Sequence, residues 1–219
     1  HRGPCGTDAP PTTVPSILPA PEGMTAASIS MDSPNARPVP LDADGDGRGD
    51  VFWYTPGASP DPLWLGQGGG RFSAQAKAAT STYDDVIPLD VDGDGRDDLL
   101  FNQQATGAAV LWRSTGGGAF TSIKLAPGAG HRPIVGDFDG DGRDEIIWYG
   151  PGGASDSRWD WNGSGFNAAP LRINGNYATI VGDFDGNGTD DIVFYAPGTA
   201  GDSMWLHKKA GGYATKALT

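Results

Sequence analysis

The strongest constraint on this chain is an acidic nonapeptide that occurs four times. Aligned on the first aspartate, the copies are DADGDGRGD from Asp42, DVDGDGRDD from Asp90, DFDGDGRDE from Asp137 and DFDGNGTDD from Asp183. Their starts lie 48, 47 and 46 residues apart. A fixed period of this size marks a repeat architecture, in which each unit buries its apolar face against the next.

The rest of the sequence falls into phase with these loops. A short apolar strand enters each one: Val39-Pro-Leu41, Val86-Ile-Pro-Leu89, Pro133-Ile-Val135 and Thr179-Ile-Val181. A second strand leaves it: Val51 to Tyr54, Leu99 to Asn102, Ile146 to Tyr149 and Ile192 to Tyr195. A third is centred on Trp64, Trp112, Trp159 and Trp205, each 22 residues after its first aspartate, and a fourth is opened by Phe72, Phe120, Phe166 and Tyr213. The 35 Gly and 18 Pro sit between these runs, so they read as turns rather than as disorder. Ser73 to Asp85 lacks Gly and Pro and could pass for a helix, but its phase with the other copies makes it strand and connector. Four short strands per unit predict an all-β fold, a β-propeller of four-stranded blades.

Repeat phase sets the expected organisation. Residues 1–12 read as a linker or tail, and 13–219 as the propeller, with repeats at about 37–84, 85–131, 132–177 and 178–219. Residues 13–36 form a half-repeat, because Ser16 to Ala27 aligns with Met204 to Thr215, and Met24 precedes its loop by 18 residues as Phe72 does. Four full repeats plus a half are compatible with five blades or with part of a larger propeller. The chain opens on His1, which is expected of a processed or trimmed product.

The loops carry the chemistry. Alternating carboxylates spaced by glycine suit a hard cation that takes six to eight oxygens. Positions 1, 3, 5 and 9 supply side-chain oxygens, and position 7 a backbone carbonyl. The expected ligands are Asp42, Asp44, Asp46, Arg48 and Asp50; Asp90, Asp92, Asp94, Arg96 and Asp98; Asp137, Asp139, Asp141, Arg143 and Glu145; and Asp183, Asp185, Asn187, Thr189 and Asp191. Without a cation, carboxylates about 5 Å apart repel by roughly 3 kcal/mol per pair at an effective dielectric of 20. Calcium, one per loop and four in all, is the leading ion. Magnesium, smaller and stricter about octahedral geometry, fits less well. The fourth copy, with Asn187 in place of an acid, should be the weakest site. An EF-hand is excluded: it needs a bidentate Glu at position 12, where this chain has Trp53, Phe101, Trp148 and Phe194.

Located this way, the net charge of −12 is not that of a polyanion. Fifteen of the 27 acids occupy loop ligand positions, and the remaining 12 face 15 Lys and Arg. No basic stripe suits nucleic acid, and no apolar run reaches the roughly 18 residues of a membrane span. Cys5 is the only cysteine, so it is free or paired to another chain.

Four DxDGDGxxD-type loops between strands, at a period near 47, resemble the FG-GAP/VCBS repeats of integrin-α-like calcium-binding β-propellers. The resemblance implies calcium in each loop and a secreted or cell-surface setting. It points to a recognition or adhesion module whose partner is a glycan, since lectin propellers of this repeat type occur in the resembling families, or another extracellular protein. The alternative is a scaffold or docking propeller of a larger secreted assembly, which the half-repeat and Cys5 would suit. The aromatics at loop start plus 11 and plus 22 read as blade-to-blade packing. Ligand candidates are the repeated polar positions Tyr54, Tyr149 and Tyr195 at plus 12, Asp61, Asp156 and Asp202 at plus 19, and the extra Trp161. No enzyme is expected, because His1, His131 and His207 occupy unrelated phases and no nucleophile motif is present. Asn162-Gly-Ser164 and Asn187-Gly-Thr189 match the N-glycosylation pattern, the latter inside a loop.

Overall fold

A computed structural model describes residues 35–57, 61–198, 201–209 and 211–218. They form sixteen strands in four antiparallel sheets, each sheet four strands in sequence order. Blade 1 holds β1 (Arg37–Leu41), β2 (Asp50–Tyr54), β3 (Asp61–Gly66) and β4 (Phe72–Lys77). Blade 2 holds β5 (Asp85–Leu89), β6 (Asp98–Gln103), β7 (Ala108–Gly116) and β8 (Ala119–Leu125). Blade 3 holds β9 (Arg132–Gly136), β10 (Glu145–Tyr149), β11 (Asp156–Trp161) and β12 (Phe166–Leu171). Blade 4 holds β13 (Ala178–Gly182), β14 (Asp191–Tyr195), β15 (Asp202–His207) and β16 (Tyr213–Leu218). The architecture is an all-β propeller. The stretch Ser73 to Asp85 contains β4 and an irregular connector, so repeat phase overrides its helix-like composition. The linker expected over 1–12, Cys5 and all but the last two residues of the expected half-repeat lie outside the described residues.

The local rules agree with this layout. In every blade the acidic loop joins the first two strands, and register is continuous on both sides of it, as in Leu41 opposite Asp50 and Leu89 opposite Asp98. Pro40, Pro88 and Pro133 fall on the first strand of their sheets, an edge position where the missing N–H breaks no ladder. The second strands are the most apolar, and β10 is buried at all five residues because blades cover both of its faces. The fourth strands are mostly exposed and carry small and polar residues such as Phe-Ser-Ala-Gln-Ala-Lys in β4.

The core lies between blades. One cluster joins Val39, Ala43, Phe52 and Leu63 of blade 1 to Leu99 and Phe101 of blade 2, a second joins blades 2 and 3 around Leu100, Leu111, Ile146 and Trp148, and a third joins blades 3 and 4 around Phe138, Ile147, Ile192 and Phe194. The repeated aromatics meet inside these clusters. Phe101 and Trp112 have ring centroids 4.7 Å apart, Trp148 and Trp159 5.8 Å, and Phe194 and Trp205 4.8 Å. Blades 2 to 4 thus show the blade-to-blade packing read from their phase, whereas Trp53 and Trp64 of blade 1 pack on each other, ring centroids 5.2 Å apart, outside the clusters.

Gly107, in the β6–β7 turn, has φ +71° and faces the chain at Gly128 and Ala129; an added Cβ would stand 2.2 Å from the Gly128 carbonyl carbon. Gly69 has φ +60° and open space around it. Gly69→Ala should therefore cost only the left-handed backbone penalty, about 1–2 kcal/mol. Gly107→Ala adds a backbone clash and should cost at least about 3 kcal/mol, read as the larger fall in melting temperature.

Candidate functional site

Each loop is shaped by its own first aspartate. The Asp42 carboxylate accepts from the amides of Gly45 at 2.8 Å, Asp46 at 3.2 Å and Gly47 at 2.8 Å. Asp90, Asp137 and Asp183 repeat this pattern. The intervening glycines hold positive φ, 75° at Gly45 and 77° at Gly47, which L side chains rarely adopt. At position 5 the side-chain oxygen accepts the amide of position 7, from Arg48, Arg96, Arg143 or Thr189. An amide oxygen can take that bond as well as a carboxylate can. Asn187 does so, and its Nδ2 also donates to the His207 carbonyl at 2.9 Å.

Position 9 is buried and tied to two segments at once. Asp50 accepts from Ala43 in the loop and from Gly66 at the end of β3, at 2.9 and 2.7 Å. Asp98 and Asp191 make the matching pairs. Burial pushes these acids up: Asp98 to about 7 and Glu145 to about 8, with Asp50 raised as well. A neighbouring cation would oppose that shift.

Four sets of acids converge. Asp137, Asp139, Asp141 and Glu145 place one ligand oxygen each within 4.8 Å of one another, as do Asp42, Asp44 and Asp50; Asp90, Asp92 and Asp94; and Asp183, Asp185 and Asp191. Only the third loop brings all four of its expected acids together. The first loop leaves out Asp46, which pairs with Arg48 of its own loop. The second leaves out Asp98, whose carboxylate accepts the amides of Val91 and Ser114, while Asp94 stays in its cluster and also pairs with Arg96. Asp92 Oδ1 and Asp139 Oδ1 are buried without any hydrogen-bond partner. An orphaned anionic oxygen among other oxygens is the environment a hard cation satisfies, so the donor set fits a divalent ion. In blades 2 and 3 a guanidinium also reaches position 3: Arg113 lies 3.0 Å from Asp92, and Arg158 lies 2.6 Å from Asp139 and 3.3 Å from Glu145. The corresponding strands of blades 1 and 4 place Leu63, Leu65, Met204 and Leu206 there.

Sequence reading missed position 8. Asp97 accepts from the amide of Asp42 in the preceding blade at 2.6 Å and returns its own amide to the Asp42 carbonyl at 2.8 Å. Asp144 does the same to Asp90, and Asp190 to Asp137. Position 8 is thus an inter-blade clamp. The available signal was that the three later copies have Asp there and the first has Gly49.

The repeated polar candidates turn out to be internal. Tyr54 and Tyr149 are fully buried; their hydroxyls accept from the amides of Tyr83 at 2.5 Å and Tyr177 at 2.9 Å, pinning the connectors into the next blade. Asn102 takes that place in blade 2, donating to the His131 carbonyl at 3.2 Å. Asp61 bonds the amides of Thr55 and Ala79, and Asp156 those of Gly150 and Ile173, so both buried carboxylates tie a turn to a connector. Trp161 is buried in the cluster between blades 2 and 3, with the Arg113 guanidinium 5.6 Å from its ring centroid. These five are corrected from ligand candidates to structural residues, because their polar atoms or faces are already used. Tyr195 remains exposed, and half-buried Asp202 accepts the Ala196 amide at 2.8 Å.

A cleft of about 570 Å³ opens at the outer junction of blades 1 and 2. Tyr83, Phe101, Val110 and Trp112 give it an apolar floor, and Thr80, Ser81, Ser122 and Lys124 line it with polar groups. A second depression shares Ala78, Trp112 and Ser122 with it and adds Lys77 and Phe120. The cleft lies where the second copy breaks the repeat: Ala108 and Ala109 line it, and Ala109 replaces the plus-19 aspartate.

The clamp can be tested directly. Asp144→Ala leaves the Asp90 amide without its acceptor, which should cost about 1–3 kcal/mol and appear as a lower urea midpoint.

Among known proteins, residues 42–101 and 90–148 each match the model of the FG-GAP-like repeat. No curated protein matches the chain. A solved structure of a lectin from Agrocybe aegerita, described as specifically recognising non-reducing terminal N-acetylglucosamine, superposes with a TM-score of 0.63 at 20% identity. The match covers 83% of this chain and 52% of that one, so the chain spans about half the length of this neighbour. Repeat loops, blade topology and model match agree: the chain is a β-propeller that carries FG-GAP-like repeats over residues 42–148.

Proposed function

We propose that this chain is a calcium-stabilised, non-catalytic glycan-recognition module working outside the cell. The observation that carries the glycan reading is the cleft between blades 1 and 2. Its size is in the range of small-molecule sites, and its composition suits a sugar ring, whose C–H face packs on an aromatic while its hydroxyls bond polar groups at the rim. The lectin neighbour, built on the same kind of blades, supports carbohydrate as the ligand class. An N-acetylated hexose is the first sugar to try.

Calcium enters through the loops. When bound, it would be held by Asp137, Asp139, Asp141 and Glu145 in the third loop and by the corresponding acids of the others, and it would supply positive charge that neutralises clustered carboxylates. These residues form the turns between the first two strands of each blade, so the role we assign to the ion is mechanical. At a free concentration about 1,000-fold above its dissociation constant, one site adds roughly 4 kcal/mol.

The ionisation of the loop acids gives this reading a pH signature. Asp98, Asp144 and Glu145 have folded-state values raised to about 7, 6 and 8 by burial. Groups raised on folding contribute stability that is full below their unfolded values and lost as pH rises through the folded ones. In chelator the melting temperature should therefore fall between about pH 5 and pH 8. In calcium the fall should vanish or reverse, because the ion holds the carboxylates charged. Identical melting curves with and without calcium at pH 8 would refute the metal assignment.

Glycan binding is tested by calorimetry and a glycan array in calcium. Ala78→Trp, which fills the cleft from an exposed position, should abolish binding of any sugar found, and Lys124→Ala should weaken it about tenfold by removing one charged hydrogen-bond donor. Binding that persists in Ala78→Trp would place the sugar elsewhere.

A further inference from the structure

Among the described residues, the face that each blade turns to its successor is largely covered in blades 1 to 3 and uncovered in blade 4. Three residues before the first loop aspartate, Val39 and Ile134 are 7% and 3% exposed and Ile87 is half-buried, whereas Ile180 of blade 4 is 56% exposed. At loop position 2, Ala43, Val91 and Phe138 are fully buried, whereas Phe184 is 49% exposed. At plus 12, Tyr54, Asn102 and Tyr149 are buried, whereas Tyr195 is 49% exposed. The loop repeats the contrast. A Cβ on Gly45 would strike the Arg96 stem, and one on Gly93 the Arg143 stem, but Gly186 has nothing within 4 Å.

Blade 1 carries the complementary surface. Val51 and Trp53 are half-exposed, while their counterparts Leu99, Phe101, Ile146, Trp148, Ile192 and Phe194 are buried against the preceding blade. Phe72, whose counterpart Phe120 packs on blade 1, is 37% exposed. Arg48 retains the position-7 stem that Arg96 and Arg143 lay across the neighbouring loop, and its side chain is 54% exposed. The two faces are the two halves of one contact that the chain makes three times internally.

We propose that a second copy of this chain docks its blade 1 on blade 4 of the first, head to tail, with Ile180, Phe184 and Tyr195 received by Trp53 and Phe72 and the Arg48 stem laid on Gly186. The main-chain half of the clamp is available, since the Gly49 amide can donate to the Asp183 carbonyl. The carboxylate half is not, because Gly49 has no side chain, so the contact is weaker than its internal counterparts and association is reversible. This heterologous contact is independent of the glycan reading, and it either closes into a ring or extends in series.

Sedimentation of the full chain in calcium, from low to high micromolar concentration, should show a mass that rises to at least twice the monomer. Phe184→Glu, at an exposed site, and Arg48→Glu, at an exposed side chain, should each remain monomeric, and their pairing on mixing shows that both are folded. Mixed together they should form a one-to-one dimer, because each keeps one intact face. A wild type that stays monomeric throughout overturns the proposal. So does an Arg48→Glu variant that still self-associates, which would mean that blade 4 pairs with blade 4, or a mixture that fails to dimerise.

Discussion

Two hydrogen bonds, exchanged between the eighth residue of one loop and the first residue of the loop before it, set how each blade sits on its neighbour. Asp97 with Asp42, Asp144 with Asp90, and Asp190 with Asp137 are the same contact three times. It brings loops that are already dense in carboxylates close together, and the charges of Asp90, Asp137 and Asp190 add to the burial that raises Asp144 to about 6. Alignment of the blades and electrostatic stress therefore have one source. A cation in each loop would relieve the stress without disturbing the alignment, because the clamp joins position 8 to the main chain of position 1, whereas the ligand set uses the side chains of positions 1, 3, 5 and 9.

The fold was legible because a repeat averages out local ambiguity. Ser73 to Asp85 reads as a helix on its own and as strand plus connector in phase. The packing of Trp112, Trp159 and Trp205 between blades followed from the same phase. The candidate site was less legible, for a reason built into repeats. A polar residue that recurs in each unit has recurring partners, and in a propeller these are the turns and connectors that recur with it. Tyr54, Tyr149, Asp61 and Asp156 met that fate: their regularity was the mark of a pin, and their partners were backbone amides whose positions no sequence pattern displays. Position 8 was overlooked for a related reason. Its partner lies one period away, and a motif read along the chain does not show what it touches across blades.

The exceptions carry the individuality of the molecule. The second copy replaces the plus-12 tyrosine by Asn102 and the plus-19 aspartate by Ala109, and the cleft lies beside them. Loss of a carboxylate that would tie a turn to a connector, together with the small side chains of Ala78, Ala79, Ala108 and Ala109, widens to about 570 Å³ a depression that measures about 200 Å³ at the junction of blades 3 and 4. Arg113 and Arg158 are exceptions of another kind. They bring a built-in positive charge to two of the four acid clusters and leave the other two to aliphatic neighbours. The four loops, alike in sequence, are thus electrostatically unlike, and their affinities for a cation need not follow the count of acids that singles out the fourth.

Cleft and loops are also mechanically linked, although no loop ligand lines the cleft. One wall is the connector after β4 and the other is the β7–β8 pair, so its width is the angle between blades 1 and 2. That angle is fixed at one end by the Asp97–Asp42 clamp and in the middle by Phe52, Phe101 and Trp112, whose rings pack edge to face within 5.9 Å. Neutralising the first two loops would remove repulsion at the clamped end and so hold the two blades more firmly at that angle. If the cleft takes the proposed sugar, cation binding would act on its affinity through preorganisation, with no contact between ion and ligand. In a propeller whose blades meet by repeated contacts of one kind, this is how a turn at one edge can govern a surface at the other.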